Sequence, residues 1–334
     1  MTNMAITPVI SATNVANYFS DVSSATASRF GTVDNLGNQF GCASIIEMSG
    51  QSYKYAAVYH SDVSGYFSVH LGVSNDLINW TYVRTLLSNA SMPRIVQVSG
   101  SSWLLIIHEQ WGGSSGSPWC RIGHELFYDF NDLLAGTIRS SWVAPQFSSY
   151  NHDGTPSVYN ASLALSGGWY VVNGQYGFHS LEGGGFRDIN SVTTTTDLFS
   201  PAGTASTSAS SATAYNSVLN AAGSIGSIGD RDTLQTTTAR YNLQEGNLSA
   251  PDVWADWRVW LYTFGDTLSY PTGTGTAAQL SLTTPGGSTS FGNPRINVVN
   301  SPSGSGTSLV VTYTIFSQGA APGEAGTVVY YYDL

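Results

Sequence analysis

"NHDGTPSVYN", residues 151–160, is turn chemistry running into a strand. Asp153 can bond its own backbone, Gly154 tolerates positive φ, and past Pro156 apolar and polar residues alternate. A small residue or proline followed by alternation recurs as "CASIIEM" (42–48), "MPRIVQV" (92–98), "TPSVYNA" (155–161), "APDVWAD" (250–256) and "NPRINVV" (293–299). A second, more apolar strand follows each: "YKYAAVYHS" (53–61), "SWLLIIHEQ" (102–110), "GWYVVNGQ" (168–175), "WRVWLYTFG" (257–265) and "SLVVTYTIF" (308–316). Third strands trace as "YFSVHLGVS", "PWCRIGHELF", "GGFRDINSV", "AAQLSLTT" and "GTVVYYYDL". Proline at the first position of a strand gives up no ladder hydrogen bond, and a repeated antiparallel unit suits radial packing of small sheets.

The fold class read from this repeat is all-β, a five-bladed β-propeller formed by residues 1–334 as one domain. Ala43, Pro93, Pro156, Pro251 and Pro294 are expected at the starts of the five innermost strands. "MAITPVISA" (4–12) is expected to supply the outer strand that closes the ring. Residues 198–240, rich in small residues, read as a long insertion ahead of the fourth unit, either a flap over the central face or a linker.

Composition narrows the function. About a tenth of the residues are charged, the net charge is −10, and Lys54 is the single lysine beside scattered arginines. No basic stripe exists to neutralise phosphates, so nucleic acid is not an expected partner. No run of 18 apolar residues occurs and the start lacks the basic and apolar regions of a signal peptide, so membrane insertion is not expected. Location is left open, with an extracellular or virion-associated setting favoured. Cys42 and Cys120 fit no metal spacing and are expected as free thiols, a disulfide between them being the alternative. The acceptor patterns at Asn79, Asn89, Asn160 and Asn247 are what a Ser/Thr-rich chain produces by chance. There is no G-x-S-x-G and no H-E-x-x-H: "HEQW" and "HELF" lack the second histidine.

"LGVSNDLINWTYVRTL" (71–86) contains S-x-D-L-x-x-W, and with the five strand starts it resembles the five-bladed propeller glycoside hydrolases of families 43, 62, 32 and 68 over nearly the whole chain. The resemblance implies two carboxylates flanking a glycosidic bond, with an acid before the first strand of unit one, an orienting acid at unit three and a Glu-Gly-Pro general acid at unit four. Here the expected positions are matched in part. Cys42 stands at unit one, with Asp34 in "TVDNLGNQFG" the nearest acid upstream. Asp153 is separated from Pro156 by Gly154 and Thr155, and Glu245 in "QEGNLSAPDV" precedes Gly246 with Pro251 six residues on.

The candidate catalytic set is therefore Glu245 as acid, Asp34 as base and Asp153 as orienting carboxylate, each with a plain loop or turn role as its alternative. Arg94 and Arg295, equivalent in "MPRI" and "NPRI", are candidates for gripping sugar hydroxyls or for structural ion pairs. His152 and Trp254 complete the candidate substrate contacts, with Trp103, Trp111, Trp119 and Trp257 as further stacking surfaces or packing. No cofactor or metal ligand set is expected, beyond room for an axial structural ion such as calcium. The reading is a carbohydrate-active propeller hydrolysing a terminal, pentose-type glycoside. Its alternative is a non-catalytic glycan-binding or structural module of a virion or surface assembly, with protein partners in that setting.

Overall fold

The structure, a computed structural model, describes residues 12–114, 117–147, 151–182, 185–194, 197–199, 206–207, 209–236, 239–264 and 275–334. Helix α1 (Ala12–Ser20) and the short strand β1 (Ala27–Arg29) come first. A first sheet holds β2 (Gly41–Glu47), β3 (Tyr55–Val63), β4 (Tyr66–Ser74) and β5 (Thr81–Ser88); a second holds β6 (Ala90–Gln97), β7 (Leu104–Ser114), β8 (Ser117–Phe127) and β9 (Ser140–Val143), with helix α2 (Phe130–Ala135) between the last two. A third holds β10 (Asp153–Ser166), β11 (Trp169–Glu182), β12 (Gly185–Thr194) and β13 (Ser206–Thr207). Helix α3 (Ala209–Ala221) leads to a fourth, of β14 (Ile228–Gln235), β15 (Arg240–Asn247), β16 (Trp257–Phe264) and β17 (Gly275–Gln279). A fifth joins β18 (Phe291–Asn300), β19 (Thr307–Ile315) and β20 (Gly326–Asp333) to β1.

Every pairing within these sheets is antiparallel, and the first strand of each sheet packs against the sheet before it. Thus β6 lies on β2, β3 and β4; β10 on β6, β7 and β8; β14 on β10, β11 and β12; β18 on β14, β15 and β16; and β2 on β18, β19 and β20. The succession returns to its start, which is the propeller arrangement. Apolar side chains fill the wedges. Val58, Val69 and Leu71 meet Ile95 and Ile106 between sheets one and two, and Leu105 and Ile107 meet Val172 and Phe178 between two and three. Leu243 and Val259 meet Phe291 and Val311 between four and five.

Phe19 of α1 caps the outside of this last wedge, where its carbonyl accepts the hydroxyls of Tyr313 (2.9 Å) and Tyr330 (3.0 Å). The S-x-D-L-x-x-W segment is the β4–β5 connection. Asp76 accepts the N–H groups of Ile78 (3.0 Å) and Asn79 (2.7 Å), and buried Trp80 donates its indole N–H to the Leu77 carbonyl (3.1 Å).

Three expectations are corrected. Pro251 does not start an inner strand: "APDV" lies in the β15–β16 connection, where Asn247 Oδ1 accepts the Ser249 N–H and Asp252 accepts the Ser227 N–H. The inner strand of sheet four is β14, inside the stretch read as an insertion. That stretch is neither flap nor linker where it is described. It carries the outer strand β13, helix α3 between β12 and β17 with Tyr215 stacked on Tyr262 at 4.3 Å, and β14 itself. The closing outer strand is β1, paired with β20 from Ala27 opposite Tyr331 to Arg29 opposite Val329; of the segment 4–12, residues 4–11 lie outside the described residues. Cys42 and Cys120 are free thiols, both buried.

Around the axis the inner strands are joined by charge. Arg94 of β6 pairs with Asp232 of β14, and Arg295 of β18 pairs with Asp230 of β14. All four side chains are buried, and Asp232 also accepts the Ile296 N–H (2.6 Å) and the Thr233 N–H (2.7 Å). Removing one member of a buried pair leaves an uncompensated charge. Asp232→Ala should therefore cost about 3–5 kcal/mol of unfolding free energy. Adding Arg94→Met should recover part of that loss, because the stranded cation goes while the two N–H groups stay unpaired; urea denaturation of the three proteins measures both effects.

Candidate functional site

The five inner strands share one irregularity. Their pairing with the second strand slips by one residue between Gly41 and Ser44, Ser91 and Arg94, Gly154 and Ser157, Ile228 and Arg231, and Gly292 and Arg295. Each slip is a β-bulge at the same end of its sheet, and bulges re-aim side chains and free backbone groups from the ladder. Four of them hold a non-glycine residue in the left-handed region: Cys42 (φ 50°), Met92 (49°), Thr155 (42°) and Asn293 (50°). For a β-branched residue such as Thr155 this is a strained conformation, of the kind that collects at functional sites. The fifth position is Gly229.

A buried bulge N–H has to find an acceptor, and here the preceding sheet supplies it. His60 Nδ1 of β3 accepts the Met92 N–H (2.9 Å), Glu109 Oε1 of β7 accepts the Thr155 N–H (2.7 Å), and Glu245 Oε2 of β15 accepts the Asn293 N–H (2.5 Å). In sheet four Asp230 stands where the other bulges have proline or alanine. Its additional N–H goes to the other oxygen of Glu245, at 2.7 Å.

The three candidate carboxylates accordingly fall in three different settings. Asp34 sits in the turn before β2, its oxygens taken by the N–H groups of Leu36 (2.8 Å) and Asn38 (3.0 Å), the Asn38 amide (2.8 Å) and the Tyr59 hydroxyl (2.5 Å). Burial pushes its pKa up, but these donors outweigh burial and hold it below the ordinary value. Its acceptor positions are thus filled by its own turn and by Tyr59. Asp153, fully buried at the start of β10, accepts the Phe147 N–H (2.7 Å) and the Ser180 hydroxyl (3.2 Å) at the joint of sheets two and three. Glu245 lies at the joint of sheets four and five. On β15 it is part of a strand rather than of a loop.

The positions where the resemblance places acids hold Cys42, Thr155 and, with Glu-Gly-Pro read in register with the bulge as Ile228-Gly229-Asp230, an isoleucine. Arg94 and Arg295 pair with Asp232 and Asp230, the ion-pairing role named as one of their two alternatives. His152 packs edge-on against Trp111 (5.2 Å) and parallel to His179 (5.8 Å). Trp254, 58% exposed, lies 5.1 Å from Phe316. Its backbone is tied to the β18 approach through the Ser290 hydroxyl, which donates to the Trp254 carbonyl at 2.6 Å.

Strand polarity puts Trp254, Phe316, Phe67, Trp111 and Trp119 on the face where the inner strands begin, because each second strand ends there and each third strand starts there. The Phe67 ring lies tilted against His60 at 4.8 Å, and burial pushes the His60 pKa down to about 3, so its ring is the neutral acceptor the Met92 N–H requires. Sequence reading missed Glu109, Cys120, Phe316 and Asp230. Glu109 is visible in "HEQW", but the groups it meets lie on other strands, so no local spacing signals it.

Glu245 is pushed up to about 8 by burial first and by the Asp230 charge second, against the pull of the two N–H donors and Arg295. Burial also raises Asp230 to about 6, against the Arg295 charge. Both folded values lie above the unfolded ones, so the folded chain keeps protons that the unfolded chain has released. The resulting stability is complete below the ordinary carboxylate range and is lost as pH rises through the folded values. Unfolding free energy should thus decline from about pH 4.5 to 8, and the decline should flatten in Glu245→Gln. Parallel pH–stability curves for the two proteins would contradict a protonated Glu245.

No family model matches the sequence, and no curated protein is similar to it at sequence level. Solved structures are similar in shape. An α-L-arabinofuranosidase from Lactobacillus brevis aligns with a TM-score of 0.55 and 11% identity over 90% of this chain and 94% of that one. A Bacillus subtilis arabinanase aligns with a TM-score of 0.53 and 11% identity over 91% and 97%. An exo-1,5-α-L-arabinanase from a bovine ruminal metagenomic library aligns with a TM-score of 0.52 and 11% identity over 88% and 92%. At this sequence distance the likeness establishes the fold: the chain is an all-β propeller of the architecture found in family-43 glycoside hydrolases.

Proposed function

We propose that the chain is a single-domain, five-bladed, carbohydrate-active propeller that takes a glycan at the face where its inner strands begin. The observation that carries this reading is the surface of that face. Trp254, Phe316, Phe67 and Trp111 lie at the end of the sheets that carries the bulges, where Met92, Thr155 and Asn293 are uncharged. Aromatic faces accept the apolar face of a sugar, and a few neutral polar groups fix its orientation.

The chemistry of the joints favours binding over hydrolysis. A two-carboxylate glycosidase needs an acid and a base about 5–10 Å apart on either side of the bond. Asp34 has its acceptors filled, Glu245 holds two backbone N–H groups, and the expected acid positions carry Cys42, Thr155 and Ile228. One observation supports hydrolysis as a second reading: Glu245, pushed up to about 8, would still hold a proton at neutral pH, as a general acid must.

A glycan array followed by titration of the best ligand tests the first reading. Trp254→Ala should weaken that ligand several-fold, corresponding to about 0.5–1.5 kcal/mol for one aromatic contact, while leaving the melting temperature in place. Glu245→Gln should leave binding intact, and a panel of aryl arabinofuranosides and xylosides should stay uncleaved. Cleavage by the native protein that disappears in Glu245→Gln would establish the second reading, and retention of no glycan together with no cleavage would sink both.

A further inference from the structure

Glu109, which fastens the Thr155 bulge, also forms a cluster with Cys120 and His152. Glu109 and Cys120 project from one face of neighbouring strands, since the β7–β8 register sets Glu109 opposite Ile122 and Trp111 opposite Cys120. A parallel bridge then places Cys120 beside His152, just before β10. One carboxylate oxygen, the thiol sulfur and one imidazole nitrogen from the three all lie within 4.8 Å of one another.

We infer that Glu109, Cys120 and His152 bind a zinc-type transition-metal dication at the joint of sheets two and three. Thiolate, imidazole and carboxylate are the donors zinc takes, and a set of three protein ligands leaves a further position for water. Bound at about 2.0–2.3 Å, tetrahedral ligands stand roughly 3.5 Å apart, so the cluster needs to contract by only about an ångström. Binding would replace the Cys120 S–H with an S–metal bond and release that proton to solvent. The dication would then be balanced by one thiolate and one carboxylate, a neutral set that can be buried without a stranded charge.

The surroundings are those of an oriented ligand set. Glu109 is fixed through both oxygens, by the Thr155 N–H (2.7 Å) and the Ser91 hydroxyl (2.5 Å), and Ser91 accepts in turn from the Trp111 indole (2.7 Å). Outer contacts of this type orient metal ligands. The His152 ring is held between Trp111 and His179, and the Cys120 thiol donates to the Asp153 carbonyl at 3.3 Å. Gly154 lets the ligands meet: a Cβ there would lie 2.5 Å from Glu109 Oε1 and 2.9 Å from His152 Nε2. His152 is half-buried, while Glu109 and Cys120 are buried, so the imidazole side is the way in.

The experiment is calorimetric titration of the chelator-treated 334-residue chain with zinc chloride, with calcium chloride as the control. The expected result is one equivalent of zinc bound with release of one proton, no calcium bound, and a thiolate-to-cobalt absorption band when cobalt(II) replaces zinc. Losing even an outer partner of a ligand costs about 10- to 100-fold in metal affinity, so Cys120→Ser and His152→Ala should each weaken zinc by at least that factor, and Cys120→Ser should abolish the band. Absence of zinc uptake overturns the inference. So does uptake that is unchanged in His152→Ala, whose half-buried ring makes it the variant expected to fold normally. Glycan binding is measured separately and decides the previous proposal alone.

Discussion

A bulged residue leaves a backbone N–H with no ladder partner, and this chain buries such groups where its inner strands converge. That requirement organises the centre of the molecule. Because the bulge of one sheet faces the second strand of the sheet before it, the acceptor has to come from that strand: His60 for Met92, Glu109 for Thr155 and Glu245 for Asn293. Each acceptor is therefore fixed in position by the packing of one sheet on the next. An imidazole that accepts must be neutral, and burial keeps His60 so. The most conspicuous titratable groups of the interior are, in the first instance, fasteners between sheets.

The charged pairs at the axis follow from the same convergence. β14 carries Asp230, Arg231 and Asp232 in succession, and the two acids turn to arginines of β18 and β6 while Arg231 donates to the Tyr159 hydroxyl of β10 at 2.8 Å. One strand thus touches three other inner strands through charge or charge-assisted hydrogen bonds. Pairs of this kind are not a large source of net stability, since desolvation offsets most of their attraction, yet each is costly to break on one side only. Their effect is to fix which strand sits beside which, in a ring whose apolar wedges look much alike.

How far the sequence could be read depends on how each residue solves the bulge. Proline announces it: Pro93, Pro156 and Pro294 lie at equivalent bulges, and Ala43 falls in the same register. At β14 the position belongs to Asp230, which keeps its N–H and directs it to Glu245. The written signature vanishes while the geometry persists. A search for proline passes over "IGDRD" and stops at "APDV", a connection with similar lettering, and the true inner strand is mistaken for an insertion. The S-x-D-L-x-x-W turn was legible because the hydrogen bonds that shape it, from Ile78 and Asn79 to Asp76 and from Trp80 to Leu77, are local. Glu109, Cys120 and His152 were not, because strand pairing and a bridge between sheets bring them together. Asp34, the candidate base, could be recognised as an acid near the right strand, but only its turn, and Tyr59 from β3 above it, reveal that its oxygens are taken.

The seam between β1 and β20 carries a consequence for how the molecule comes to exist. Ala27 and Tyr331 pair across almost the whole chain, so the fifth sheet is assembled from the earliest and the latest described strands. The other sheets are contiguous along the chain and can form from their own hairpins, whereas this one has to wait for a contact of very high sequence separation, the kind that slows folding. Until it forms, β20 and the strand destined to cover it are open edges, the situation in which sheets pair with the wrong neighbour. The ring thus has a single place where it can stand ajar, and a second copy of the chain in the same condition offers the strand that would fill it.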